Sequence, residues 1–155
     1  MDVEKFKVSV DTKVQEFDRN LLNLSNLSGH GLKDRIFQLV SYLSTFNEYI
    51  DRVNLQISIK EGLLKEVKSV ARKQLMSNVE KKLSDAAIKD LVETENVELE
   101  PGTFISMVRI QEELSYLHYG LDRFESMYSD IDKAISTGQS GLAYDRTELS
   151  QTHNS

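Results

Sequence analysis

The chain has 155 residues, a formal net charge of −6, 28% charged residues and no cysteine. This length suits one ordinary domain, and the missing cysteines exclude disulfides, thiolate metal sites and thiol nucleophiles. No apolar run reaches transmembrane length and no secretory signal is recognisable, so we expect a soluble, cytoplasmic protein without membrane contact. With one proline and seven glycines, the chain is rarely interrupted, which is typical of long helices.

The first predicted element is a helix over residues 2–24. Its apolar residues recur at steps of three and four and form one stripe, which consists of Val3, Phe6, Val10, Val14, Phe17, Leu21 and Leu24. The segment 25–31, SNLSGHG, ends this pattern because its glycines suit a helix end and a turn.

A long helix is predicted over 32–83, because two apolar series with a seven-residue period run through it. One series is unbroken and consists of Ile36, Leu43, Ile50, Ile57 and Leu64. Its companion series is apolar except at Lys60 and consists of Leu39, Phe46, Val53, Lys60 and Val67. Ser84 is the expected N-cap of a short helix over 85–93. The acidic stretch that follows, up to residue 102, is interpreted as irregular, and no strand is predicted anywhere.

A closing helix is predicted over 103–137. Its apolar residues alternate steps of three and four without a miss, which favours left-handed supercoiling, and they are Met107, Ile110, Leu114, Leu117, Leu121, Phe124, Tyr128, Ile131 and Ile135. The remaining residues, 138–155, are rich in serine, threonine and glycine, so we expect a flexible tail.

Together these elements predict an all-α fold with a single helical domain over 1–137. Two long helices would form an antiparallel, coiled-coil-like hairpin with the N-terminal helix beside it. Because each long helix carries one continuous apolar stripe and little else that is apolar, we expect a homo-oligomer; a monomeric three-helix bundle is the alternative. The predicted oligomer seam consists of Ile36, Leu43, Ile50, Ile57, Leu64, Leu114, Leu117, Leu121, Phe124 and Ile131.

The sequence carries no recognisable catalytic set. The three histidines lie far apart, and none belongs to a zinc-binding or di-iron motif. Glu112 and Glu113 are adjacent, but neighbours on a helix point about 100° apart, so we expect them on a solvated face. The sequence therefore predicts no enzymatic activity, no cofactor and no metal site.

Positive charge is concentrated near the end of the long helix. Residues 60–83 hold seven Lys or Arg against three acids, whereas residues 84–102 hold six acids and one lysine. Helical spacing places Lys65, Lys68 and Arg72 in one stripe. The candidate nucleic-acid-binding residues are Lys65, Lys68, Arg72, Lys73, Lys81 and Lys82.

Two explanations of this basic stretch stay open. In the structural one, the cations pair with the acidic segment that follows, with Glu112 and Glu125 across the hairpin, or with neighbours such as Glu61 to Lys65. In the functional one, they contact phosphates, and an oligomer multiplies the basic surface. No aromatic residue lies between positions 49 and 104, so nucleic-acid binding there would depend on backbone charge and be insensitive to base sequence.

The order of these features resembles a known family. The basic helix is followed by IKDLVETE at residues 88–95 and by a closing helix with Leu114, Leu117, Leu121 and Phe124. Over about residues 60–136 this pattern resembles the phage recombination mediator family of the UvsY type. The resemblance implies a helical oligomer in a host cell that binds single-stranded DNA and helps to load a recombinase by displacing a single-strand binding protein.

The resemblance implies that the residues in contact with DNA are Lys65, Lys68, Arg72 and Lys73. The main alternative function is a coiled-coil adaptor or scaffold, such as a virion or assembly component, whose cations only order the helices. An enzyme with an unrecognised acidic site is a third possibility. The residue pattern alone does not decide among them.

Overall fold

The computed structural model describes residues 1–77, 83–94 and 96–152. These residues are mostly helical, which confirms the all-α class in its coarse form, with a small two-stranded sheet as an exception. The elements in chain order are α1 (Val3–Glu16), a 3-10 helix (Arg19–Leu22), α2 (Gly29–Ser77), α3 (Asp85–Thr94), β1 (Asn96–Glu100), β2 (Thr103–Ser106) and α4 (Met107–Thr152). No helix in the described ranges has an apolar stretch long enough to cross a membrane.

The N-terminal helix is shorter than the predicted 2–24. It ends at Glu16, and Asp18 then caps a 3-10 helix, because its carboxylate accepts a hydrogen bond of 3.0 Å from the backbone N–H of Asn20. Aspartate offers the backbone such a local bond in place of an α-helical one. The long helix begins at Gly29, three residues earlier than predicted. Of the residues predicted at its end, 78–82 lie outside the described residues, and Leu83 is not helical.

The prediction that the chain has no strand is wrong. β1 and β2 pair antiparallel, with Val97 opposite Ile105 and Glu98 opposite Phe104. Pro101 and Gly102 form the turn, where Gly102 has a φ of +82° that glycine adopts without strain. The signal that the sequence analysis missed is a short alternation of apolar and polar residues, in which Val97 is buried and Glu98 is exposed. Because β2 occupies Thr103–Ser106, the closing helix begins at Met107 and not at residue 103 as predicted.

The prediction of a flexible tail over 138–155 is wrong for residues 138–152, because α4 continues to Thr152; residues 153–155 lie outside the described part of the chain. Gly138 and Gly141 do not end the helix. A Cβ atom added to Gly138 would lie 3.0 Å from side-chain atoms of Ile36 and Leu24, so the missing side chain allows a close approach. Tertiary packing therefore outweighs the low helix propensity of glycine here.

The chain divides into two compact units. Unit 1 comprises Met1–Phe6 and Val53–Tyr119, and unit 2 comprises Lys7–Arg52 and Gly120–Ser155. Each unit therefore takes a part of α1, α2 and α4, and α3 and the two strands belong to unit 1.

Unit 2 is built around aromatic side chains. Phe46 of α2 has its ring centroid 6.1 Å from that of Phe17 and 6.0 Å from that of Phe124 in α4, while Tyr42 and Tyr49 complete the cluster. The rings meet edge-on or tilted, the arrangements that their quadrupoles favour. Phe17, Phe46 and Phe124 are all buried, so this cluster belongs to the core of unit 2.

Among the described residues of unit 1, one carboxylate is buried. Glu113 of α4 is only 3% exposed, which contradicts the predicted solvated face. Its carboxylate forms salt bridges with Lys60 of α2, with the amino group of Met1 at 2.8 Å and with Arg109 at 3.5 Å. Lys60, the one break in the companion heptad series, is therefore the partner of a buried acid.

The charge state of Glu113 follows from these contacts. Burial by itself would raise its pKa, but the hydrogen bonds and positive charges of Lys60 and the Met1 amino group together bring the pKa below its ordinary value. The ionised form is thus the stable one in the folded protein. A buried charge of this kind is tolerated only while its partners stay in place.

We expect Lys60→Met to destabilise the protein by about 2 kcal/mol. Breaking a buried ion pair costs about 3–5 kcal/mol, and here the partial exposure of Lys60 and the two remaining cations reduce this cost. The free energy of unfolding in urea measures the effect. The double variant Lys60→Met with Glu113→Leu should recover part of the loss, because it removes the buried carboxylate that Lys60→Met leaves with fewer partners. The recovery is partial because the amino group of Met1, which is 20% exposed, then loses its salt bridge.

Lys5→Met is a matched control for this prediction. Lys5 pairs with Asp2, but both side chains are largely exposed. Its replacement should therefore change the free energy of unfolding by less than about 0.5 kcal/mol. Equal losses for Lys60→Met and Lys5→Met would contradict the buried ion cluster.

The stability that Glu113 contributes should depend on pH. Because the pKa of Glu113 in the folded chain is lower than its ordinary value of 4.5, this contribution is complete above the ordinary value and is lost as the pH falls through the folded value. Glu113→Gln should thus be less stable than the wild type at pH 6, and the difference in the free energy of unfolding should become smaller towards pH 3. Urea unfolding at both pH values measures this difference. An equal difference at pH 6 and pH 3 would contradict the lowered pKa of Glu113.

Two helical glycines should respond in opposite ways to alanine. A Cβ added to Gly62 of α2 would meet no atom within 4 Å beyond its chain neighbours and the backbone of its own helix, so Gly62→Ala should stabilise the protein by about 0.5–1 kcal/mol. Gly138→Ala should destabilise it by about 1 kcal/mol, since Ile36 and Leu24 must shift. Thermal and urea unfolding give both values, and similar gains for both variants would exclude the close approach at Gly138.

Candidate functional site

Within unit 1, one face of α2 carries the predicted basic stripe. Lys65, Lys68 and Arg72 are spaced by three and four residues, so they share this face. Next to them, Val67 and Ala71 are buried in the core of unit 1. The cations therefore lie along the edge of the packed stripe, where Lys65 and Arg72 are exposed and Lys68 is half-buried.

Helix α3 provides the second wall of the site. Its N-terminus is capped as predicted, because the Ser84 hydroxyl accepts a hydrogen bond of 3.3 Å from the backbone N–H of Ala87. The helix buries Val92 and half-buries Ile88, whereas Asp85, Lys89 and Glu93 follow one another at four-residue steps along its exposed side. This side of α3 thus presents alternating charges.

A groove lies between α2 and α3 and has a volume of about 560 Å³. We call it the basic groove, and it is lined by Lys65, Lys68, Ser69, Arg72, Asp85, Ile88, Lys89, Val92 and Glu93. Four of these side chains are cationic and two are anionic, so the groove has a surplus of positive charge. Ile88 and Val92 add apolar surface to it.

One ion pair crosses the basic groove. The Lys68 ammonium group lies 3.2 Å from a carboxylate oxygen of Glu93, and both side chains are partly exposed. Within the described ranges, no salt bridge joins Lys65, Arg72 or Lys73 to a carboxylate, and the expected pair of Glu61 with Lys65 is not formed. Among the candidate cations that the structure describes, pairing with the acidic segment therefore accounts for Lys68 alone.

The other predicted site residues have different positions. Lys73 is exposed on α2 and does not line the basic groove. Lys81 and Lys82 lie outside the described residues. Sequence reasoning did not assign Lys89 to the site, although its four-residue spacing from Asp85 and Glu93 on a predicted helix was a usable signal.

The predicted oligomer seam is occupied largely within the single chain. Six of its residues are buried and the other four are half-buried: the buried ones are Ile36, Ile57, Leu114, Leu117, Phe124 and Ile131, and the half-buried ones are Leu43, Ile50, Leu64 and Leu121. These residues pack the cores of the two units. The half-buried ones keep part of their surface exposed.

In the described part of the chain, no group of three or more histidine, aspartate or glutamate residues is placed to hold a metal ion. The buried acid Glu113 is engaged by its three cationic partners. Comparisons with protein-family models, with curated proteins and with solved structures gave no match. The basic groove is thus the candidate functional site on its own geometry.

Proposed function

We propose that this protein is a non-enzymatic binder of single-stranded DNA and that its basic groove holds the sugar-phosphate backbone. The observation that carries the proposal is the convergence of four cations from two helices on one groove, where Lys65 and Arg72 have no carboxylate partner among the described residues. Unpaired ammonium and guanidinium groups are suited to phosphate oxygens.

The lining of the basic groove defines how such binding would work. It contains no aromatic side chain on which bases could stack, and its polar groups are dominated by Lys and Arg. Contacts to phosphates position a strand but do not distinguish its bases. The affinity should therefore fall steeply with salt and vary little with base sequence.

The cellular role that we propose is that of a recombination mediator, which would help a recombinase to load and compete with a single-strand binding protein. The long antiparallel hairpin and the homo-oligomer are parts of this proposal. The net charge of −6 opposes tight binding by one chain, so several copies that combine their grooves would be needed. Because the predicted seam is largely buried within the chain, these copies would meet through other surfaces.

A helical adaptor or scaffold is the second candidate function. It is favoured by large apolar side chains that stay exposed on the described surface, among them Phe37, Leu55, Ile59 and Phe104, each more than half exposed. Exposed apolar side chains of this size are available for contact with other proteins. An adaptor would show no salt-sensitive affinity for DNA, and the following experiment separates the two functions.

We expect the purified protein to bind a fluorescein-labelled oligo-thymidine, with an affinity that falls as the salt concentration rises. The double variant Lys65→Gln with Arg72→Gln should weaken binding and reduce the slope of log affinity against log salt by about 1.4, because each lost phosphate contact removes about 0.7. Fluorescence anisotropy at several salt concentrations measures both quantities.

The control is Lys7→Gln with Lys33→Gln, which changes the net charge equally at two exposed positions outside the basic groove. It should retain the wild-type slope. An oligo-adenosine of the same length should bind with similar affinity, as expected for backbone contacts. If the wild type does not bind, or if both double variants weaken binding equally, the proposed function is wrong.

A further inference from the structure

One acid in the basic groove is not explained by the stability of its own helix. Asp85 and Glu93 are both on α3, but Asp85 is in the first turn, where the helix dipole favours a negative charge. Glu93 is in the last turn, where the same dipole disfavours one. The favourable partner of Glu93 is Lys68 on the neighbouring helix, at 3.2 Å.

We propose that Glu93 is a built-in competitor of the DNA phosphate at Lys68. This inference rests on the proposed function of the basic groove and adds its regulation. In the free protein the Glu93 carboxylate occupies the ammonium group of Lys68. A phosphate of the incoming strand displaces it and takes the same ammonium group.

The geometry suits such an exchange. Lys68 and Glu93 are both partly exposed, so a strand can reach them, and an exposed pair is weak enough to be opened by a ligand. A flexible lysine side chain can then turn from one anion to another. Lys65 and Arg72, on the same face of α2, have no such competitor among the described residues.

This competition lowers the affinity in two ways. Binding must first break the Lys68–Glu93 pair, and the displaced carboxylate then stays close to the negatively charged backbone. Lys68 consequently contributes less than one full phosphate contact in the wild type. Glu93 thus keeps the strand weakly held and readily released, without blocking the groove.

The test is the variant Glu93→Gln, measured with labelled oligo-thymidine at about 0.1 M salt. We expect about fivefold tighter binding, which corresponds to the release of an exposed ion pair. The slope of log affinity against log salt should also become steeper, by at most about 0.7, because Lys68 then makes a full phosphate contact in place of a partial one. Circular dichroism should confirm unchanged helicity, since Glu93 is exposed.

Two further variants isolate the effect of the pair. Glu66→Gln makes the same charge change at an exposed position of α2 outside the groove, and it should tighten binding by less than about twofold. In the Lys68→Gln background, Glu93→Gln should give no more than this general gain. A double-mutant cycle of this kind measures the coupling between the two side chains.

The outcomes separate the inference from the function on which it rests. If neither the wild type nor Glu93→Gln binds DNA, both are wrong. If the wild type binds and Glu93→Gln behaves like Glu66→Gln, the groove binds DNA but Glu93 does not compete. If the fivefold gain persists without Lys68, Glu93 acts through general charge and the inference is overturned.

Discussion

A carboxylate withdrawn from water constrains the whole of unit 1. Glu113 is nearly fully buried and ionised, so the chain must bring cationic groups to it, and it does so from three places: Lys60 on α2, Arg109 one turn earlier on α4 and the amino group of Met1. Apolar contacts alone allow neighbouring registers of two packed helices. A buried glutamate that must pair with one particular lysine allows only one register, because any other register leaves a buried charge without a partner.

Once this register is set, the positions of the other charged side chains of α2 and α3 follow from the separation of apolar and charged residues. The apolar stripe of α2 faces inward, and Lys65, Lys68 and Arg72 stay at its edge because their charged ends require solvent or an anion. Helix α3 then adds one more cation and two acids to that edge. The basic groove therefore arises where the packed stripe of one helix meets the charged side of another.

The candidate site was partly predictable. The stripe of Lys65, Lys68 and Arg72 depends only on helical spacing, which the sequence displays directly. The second wall of the groove could not be predicted from the sequence, because the position of α3 against α2 is a tertiary feature. The same applies to Glu113: it lies three residues after Ile110 and four before Leu117, a core position by spacing, but its adjacent acid and general polarity favoured a solvated interpretation.

The sequence by itself determined the helical class, the two long amphipathic helices, the Ser84 cap and the basic stripe, since each depends on local spacing or on a single side chain. Only the tertiary structure decided how far the helices run and what their apolar stripes cover. Gly138 and Gly141, whose local preference indicated a tail, stay helical because Ile36 and Leu32 pack against them. The seam that suggested several chains is largely filled from within one chain, because burial of apolar surface gains the same free energy whichever segment provides the cover.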